Sequence, residues 1–383
     1  MIRPKSIMVV AGETSGDIHA ARVIETLLKK NKKVKIFGMG GPLMAKAGME
    51  VRHDLTQQAL IGFWEVLKHY PAIRRRFKEC ENWLQEEKPD LLFLVDFPGF
   101  NLRLAESAHR LGVPVCYYVA PKVWAWNEKR LGTMKKVIAK LLVIFPFEKG
   151  FFHKKGMPAV YVGNPLMEEL DLKPVNRDAV LKKNGIEISR FPLICAMPGS
   201  RKGEIEKMWP LFLKASRIIR KSYPDAAFIV PKPQGLEYDD YAGLSPEDSA
   251  FFAEAPAFDL RKICDAAWVK SGTGTLETAL LKTPMVVVYK VAAVTGFLAK
   301  RFLKIKNVSL VNLLAGETVV RELLQEKAET GHLVKETLSL LENKAVRGKQ
   351  IKAFEKIKKS ISTPPKASEN AAKEILKLLA AKK

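Results

Sequence analysis

Short apolar runs alternate with amphipathic stretches along most of this chain. In the first half the runs fall at residues 7–11, 34–38, 91–95, 115–119 and 141–145. Most are nearly continuous in apolar residues, the pattern of a strand buried on both faces. Helical spacing follows the first run, from about Ile18 to Lys29. Strands alternating with helices through short loops predict a parallel, doubly wound α/β sheet. The pattern then restarts, with runs at 193–196, 227–230, 267–269 and 285–288. Two Rossmann-like domains facing each other across a cleft are the simplest architecture.

Length agrees, since 383 residues exceed what one core usually holds. Pro165 and Pro174 mark 164–177 as the linker. The expected domains are therefore 1–168, which would bind an acceptor, and 169–345, which would bind a nucleotide. A third segment, 346–383, is helical in pattern and basic, and can pack back on the first domain. No apolar run approaches the roughly 20 residues of a membrane span. The run at 7–11 is too short for a signal peptide and leads into a glycine loop. Cys80, Cys116, Cys195 and Cys264 are far apart and form no C-x-x-C pair, which suits reduced core thiols in a cytoplasm.

Charge narrows the class of partner. The net charge of +23 calls for nucleic acid, an anionic membrane face or phosphorylated ligands. No nucleic-acid-binding motif is present, so that reading accounts for the charge and nothing else. Two glycine–hydroxyl loops favour a phosphorylated ligand. They read Met197-Pro198-Gly199-Ser200-Arg201 and Lys270-Ser271-Gly272-Thr273-Gly274-Thr275-Leu276-Glu277. Each follows an apolar run and precedes a helical stretch. Glycine lets backbone N–H groups approach an anion, and a helix start adds favourable partial charge. Arg201 and Lys270 add full charges, so the pair suits a diphosphate.

Three features of the first half carry further chemistry. Gly12-Glu13-Thr14-Ser15-Gly16-Asp17 lies at the carboxyl end of the first strand, where α/β sheets bind ligands. The same residues also suit a helix cap by Thr14, Ser15 or Asp17. Asp96 ends the apolar run 91–95 and is placed to act as a general base. Trp124-Ala125-Trp126 reads as aromatic core before it reads as a ligand wall. No metal-ligand spacing appears among the histidines or acids, and no cofactor is expected. In the segment 59–78, Ile61, Phe63, Trp64, Val66 and Leu67 precede Arg74, Arg75 and Arg76. Apolar bulk beside a basic cluster is the pattern of an interfacial helix, although a core helix with a basic outer face shares it.

Taken in order, these stretches resemble the lipid-A-disaccharide synthase family. The resemblance rests on the Gly12–Asp17 loop, Gly41-Pro42, Gly62 with Glu65-Val66-Leu67, Asp96-Phe97-Pro98, Tyr118-Val119-Ala120-Pro121 and Trp124-Ala125-Trp126. It continues through Phe145-Pro146-Phe147-Glu148, Val162-Gly163-Asn164-Pro165, Pro198-Gly199-Ser200-Arg201, Ser271-Gly272-Thr273 with Glu277, Pro284-Met285-Val286-Val287, and Asn312 with Glu322-Leu323-Leu324-Gln325. Two positions depart from the family pattern, Asn164 where it often has His and Gly99 where it often has a second Asp.

The resemblance implies a GT-B, inverting glycosyltransferase that needs no bound metal. Its substrates would be UDP-2,3-diacylglucosamine and 2,3-diacylglucosamine 1-phosphate (lipid X), and its site the cytoplasmic face of the inner membrane. Gly199, Ser200, Arg201, Gly272 and Thr273 would hold the diphosphate, and Glu277 the ribose hydroxyls. Asn312 and Gln325 are further donor-side candidates, while Glu13 and Ser15 would position substrate near Asp96. Another UDP-sugar enzyme of this fold, such as a 2-epimerase, is the alternative. It shares the nucleotide pocket without needing the apolar–basic segment.

Overall fold

The computed structural model describes residues 4–54, 63–125, 127–187, 189, 191–233, 241, 250–290 and 307–381, and for 63–70 and 250 the backbone alone. The chain forms two compact units. One comprises Met1–Glu168 with Ile361–Lys383, the other Glu169–Ser360. The basic segment 346–383 is thus divided, its first part belonging to the second unit and the rest to the first.

Seven strands build the first unit: β1 (Ser6–Ala11), β2 (Lys35–Gly40), β3 (Glu50–Asp54), β4 (Leu91–Val95), β5 (Val115–Tyr118), β6 (Lys140–Val143) and β7 (Ala159–Tyr161). They are parallel, in the order β3-β2-β1-β4-β5-β6-β7. Helices cover both faces, so successive side chains of a central strand are all buried. Met8 and Val10 of β1 enter one apolar cluster, and Ile7, Val9 and Ala11 enter the other. That is why β1 and β4 lack polar alternation.

The second unit repeats the scheme with six strands: β8 (Leu193–Met197), β9 (Ala227–Lys232), β10 (Ala250–Glu254), β11 (Ala266–Lys270), β12 (Met285–Tyr289) and β13 (Arg321–Leu324). Their order is β10-β9-β8-β11-β12-β13, again parallel. The sequence pattern missed β3, β7, β10 and β13, which are the four edge strands. Edges lie against fewer neighbours, and β3 and β7 hold no fully buried residue, so their apolar signal is weak.

Each sheet reverses direction once. In the first unit the chain leaves β1 toward β2 on one side and leaves β4 toward β5 on the other. In the second unit β8 and β11 diverge in the same way. Right-handed crossovers then carry the two flanking helices to opposite faces, opening a crevice at the carboxyl ends of the diverging strands. All the loops singled out from the sequence after 7–11, 91–95, 193–196 and 267–269 open at these two points.

Polar side chains fasten the helices. Asp17, 2% exposed, accepts backbone N–H groups from Gly41 (3.0 Å), Leu43 (3.1 Å) and Met44 (3.0 Å). It therefore caps the neighbouring helix Pro42–Lys46, and not the helix Thr14–Lys30 in which it sits. Gln350, on helix Lys344–Ile361, accepts from Met285 N–H at 2.9 Å and donates to Met285 C=O at 3.2 Å. That pairing ties the helix to β12 and explains its place in the second unit. The last helix, Ala367–Ala381, buries Ala371, Ala372, Ile375 and Leu379 in the cluster that holds Ala20, Ile24 and Leu27. Replacing Asp17 by Ala would strip a partner from three backbone donors, two of them fully buried. The expected loss is roughly 1–3 kcal/mol of unfolding free energy in urea titration; a change below a few tenths would show that water replaces the carboxylate.

Candidate active site

In the first unit the loops after β1 and β4 touch. A Cβ on Gly12 would lie 2.4 Å from the Phe97 ring, so only glycine admits this approach. Asp96 (φ 49°) and Phe97 (φ 50°) both take the left-handed conformation, as does Val119 (φ 61°) at the end of β5. For Phe and a β-branched Val this costs of order 1–3 kcal/mol each. The structure around Asp96 enforces it. Asn101 Nδ2 donates to the Asp96 carbonyl at 2.7 Å, and the Tyr117 hydroxyl does so at 2.5 Å. Asp96 is thereby held at the mouth of the crevice. Burial raises its carboxyl from the ordinary value, while Lys122, the Phe97 N–H and His19 pull it back down.

Glu13 stands just before helix Thr14–Lys30 and is half-buried, with no capping bond from its side chain to the helix. Ser15 is exposed in the first turn. Asp17, the third acid-or-hydroxyl candidate in this loop, is committed to its cap.

A group not singled out for its own chemistry lies two strands away. Glu148, 1% exposed, accepts from Trp124 Nε1 (3.1 Å), Phe145 N–H (3.1 Å) and Ile144 N–H (3.3 Å). Burial pushes its carboxyl up to about 7, against the pull of those donors and of Lys122. Trp124, read as aromatic core, therefore has a polar role, and its ring also meets Phe147 edge-on at 5.0 Å. Pro146 opens the helix Pro146–Lys154 and Glu148 reaches back to the Phe145 N–H; no local signal in the sequence foretold burial of the acid. Trp126 lies outside the described residues. Asn164 closes a turn, donating to Ile144 C=O at 3.3 Å and accepting from Leu166 N–H at 3.0 Å.

In the second unit the two glycine–hydroxyl loops lie on adjacent strands, with Met197 of β8 beside Val269 of β11. Arg201 precedes helix Lys202–Ser222, and Gly272 precedes helix Thr273–Leu280. Gly199 takes φ +148°. Arg201 and Lys270 converge on one carboxylate, Glu204, at 3.3 Å and 2.7 Å. Ser200 donates its N–H to the other Glu204 oxygen at 3.1 Å. Lys270 also sits 5.4 Å from the Tyr289 ring centre. Burial, reinforced by Glu204, raises the Tyr289 hydroxyl, and Arg201 opposes this. Gly199, Ser200 and Arg201 thus meet Glu204, and Lys270 reaches the same carboxylate from the second loop, where Gly272 and Thr273 open the following helix.

The remaining donor-side candidates differ in access. Glu277 accepts from Arg261 at 2.9 Å. Arg261 is 2% exposed and also donates to Thr278 Oγ1 at 3.1 Å, so it fixes the Glu277 carboxylate from below while one side stays open. The sequence gave no sign of Arg261. Asn312 is 0% exposed and its amide is saturated. It donates to Val320 C=O (2.9 Å) and Glu322 (2.7 Å), and accepts from Val319 (2.8 Å) and Val320 (2.9 Å). Its expected direct contact with donor is corrected to a structural one. Through Glu322 it anchors the N–H groups of Val308 and Ser309. Gln325 follows β13 in the left-handed conformation, φ 50°, half-exposed at the crevice side of the sheet.

The apolar–basic segment forms helix Phe63–Glu87. Ile61, and the side chains of Phe63, Trp64, Val66 and Leu67, lie outside the described residues. Arg74 and Arg75 are exposed. Arg76 is turned inward onto Glu79 at 2.9 Å and His53 at 2.9 Å, so it drops out of the outward basic set. Among the described residues no helix is long and apolar enough to cross a membrane.

A family model for lipid-A-disaccharide synthetase matches residues 7–376. The lipid-A-disaccharide synthase of Trichlorobacter lovleyi is 39% identical over 341 residues, covering 88% of each chain. That of Geobacter sulfurreducens is 36% identical over 376 residues, covering 97% of each. Among solved structures, a putative UDP-N-acetylglucosamine 2-epimerase from Listeria monocytogenes matches with TM-score 0.67 at 14% identity, over 100% of this chain and 97% of that one. UDP-GlcNAc 2-epimerase from Neisseria meningitidis, bound to UDP-GlcNAc, gives 0.63 at 15%, over 98% and 100%. At such identities the likeness is one of fold.

Glu148 makes stability depend on pH. Its folded value, about 7, exceeds the ordinary 4.5, so the folded state holds a proton that the unfolded state releases. The resulting stability is full below 4.5 and is lost as pH rises through 7. The difference is about 3 kcal/mol at most. Urea titrations at pH 5 and pH 8 should show this decline in the wild type and a shallower one in Glu148→Gln. Identical pH dependence in both would remove Glu148 as its source.

Proposed function

The chain belongs to the lipid-A-disaccharide synthase family, and from that premise we propose how its residues divide the reaction. The enzyme is a glycosyltransferase of lipid A biosynthesis. It joins UDP-2,3-diacylglucosamine to lipid X and releases UDP. The epimerase neighbours share its fold at 14–15% identity and give no support to an epimerase activity.

The observation that carries the proposal is the convergence of Arg201 and Lys270 at the crevice between β8 and β11. Two cations, the Ser200 N–H and two helix starts form a site for a diphosphate. As the glycosidic bond to UDP breaks, the departing diphosphate gains charge. Fixed cations and N–H groups stabilise that charge without reorganising. Glu277, held by Arg261, accepts the ribose hydroxyls. Gln325 contacts the donor from the end of β13.

The first unit binds the acceptor and supplies the base. The 6-hydroxyl oxygen of lipid X attacks the anomeric carbon, the bond to the phosphate oxygen breaks with inversion, and UDP leaves with the electron pair. The hydroxyl proton passes to Asp96. Its raised proton affinity makes Asp96 a stronger base than an exposed carboxylate, and the strained backbone fixes its direction. Glu13 and Ser15 position the sugar.

Asp96→Asn should retain the fold and bind UDP, with turnover of UDP-2,3-diacylglucosamine and lipid X reduced roughly 10²–10⁴-fold. The acid limb of the wild-type rate profile should lie above the ordinary carboxylate range and vanish in the variant. Near-normal turnover in folded Asp96→Asn would place the base elsewhere.

We also propose that helix Phe63–Glu87 brings the enzyme to the anionic inner-membrane surface from the cytoplasmic side. Support comes from exposed Arg74 and Arg75 beside an apolar stretch, and from substrates whose acyl chains stay in the bilayer. Basic residues near such a surface contribute about 1 kcal/mol each, so Arg74→Ser with Arg75→Ser should weaken flotation with anionic liposomes roughly tenfold or more. Flotation equal to wild type would rule out this helix as the contact.

A further inference from the structure

Glu204 already sits where the diphosphate is expected. One carboxylate oxygen lies 2.7 Å from Lys270 Nζ and 3.3 Å from Arg201 Nη1, and the other accepts the Ser200 N–H at 3.1 Å. These are the donors that a phosphate oxygen would take. The acid enters by way of Gly199. A Cβ at that position would meet the Glu204 carboxylate at 2.5 Å and its Cβ at 2.6 Å. Glu204 is the third residue of helix Lys202–Ser222, where an acid commonly caps the helix start. Capping accounts for the Ser200 contact. It gives no reason for Lys270 to reach across from β11.

We propose that Glu204 is an internal counter-anion of the nucleotide site. In the unliganded enzyme it holds Arg201 and Lys270 together and offsets their repulsion. The donor diphosphate, with more charge and more oxygens, displaces it. After transfer the same carboxylate competes for the two cations and hastens departure of UDP. Glu204 therefore weakens UDP binding and sets how fast product leaves. This inference rests on the nucleotide reading of the crevice between β8 and β11.

The test uses the full-length enzyme with UDP as the probe. Calorimetry compares the wild type with Glu204→Gln and Glu204→Ala, each checked by a melting curve. Both variants lack the competing charge, and Gln keeps an acceptor for Ser200. UDP should bind roughly tenfold tighter to either, the usual scale for one charge-assisted contact. Steady-state kinetics should show donor KM and kcat falling together, with stronger product inhibition by UDP. Glu204→Asp retains the charge and should stay near wild type. Unchanged or weaker UDP binding in a folded charge-free variant overturns the proposal. So does loss of folding in both, which would make Glu204 a structural strut. Failure of the wild type itself to bind UDP would instead count against the nucleotide reading.

Discussion

The right-handed crossover of a parallel sheet is the constraint on which this molecule depends. Because each strand–helix–strand step turns the same way, a sheet that grows outward from its middle must reverse once. In each unit that reversal falls between two hydrogen-bonded neighbours, β1 and β4 in one and β8 and β11 in the other. The helices that follow them leave toward opposite faces, so a crevice remains at the strand ends even where the loops meet, as Gly12 and Phe97 do. Backbone N–H groups and short polar side chains remain around it. The residues proposed to carry the chemistry lie there: Asp96 and Glu13 in one unit, Arg201 and Lys270 in the other.

Left-handed backbone conformations mark the same edge of the sheets. Asp96, Phe97 and Val119 follow β4 and β5, and Gln325 follows β13. Such geometry persists only where the surroundings impose it. Around Asp96 those surroundings are specific, namely the Asn101 amide and the Tyr117 hydroxyl on one carbonyl. The cost of strain is offset by strong local hydrogen bonds, and a carboxylate is left with a fixed direction.

Carboxylates do much of the internal fastening in a chain with a net charge of +23. Asp17 caps the helix that follows β2, Glu148 gathers three N–H donors, Glu277 pairs with buried Arg261, and Glu322 holds the Val308–Ser309 backbone. Glu204 differs in gathering two cations from separate loops. A carboxylate among backbone N–H groups is a capping group; one set between two cations from separate loops stands where another anion could take its place.

The sequence alone determined the central strands, the α/β class and the four loops that carry the chemistry. Short continuous apolar runs alternating with helical spacing fit central parallel strands, and glycine with hydroxyl residues after such a run has a direct physical meaning. The edge strands escaped because half-exposed residues do not need to be apolar. Partnership is what the tertiary structure decided. Asp17 looks like a cap for its own helix in the sequence and Asn312 like a donor-side residue, yet their polar atoms are taken by N–H and C=O groups of other segments. Arg76 looks like an outward charge and is paired with Glu79. Arg261 and Glu204 gave no local signal, because their importance lies in what approaches them from distant positions. Local pattern follows from burial along one segment; a buried polar group takes its role from whichever chain atoms must be satisfied beside it.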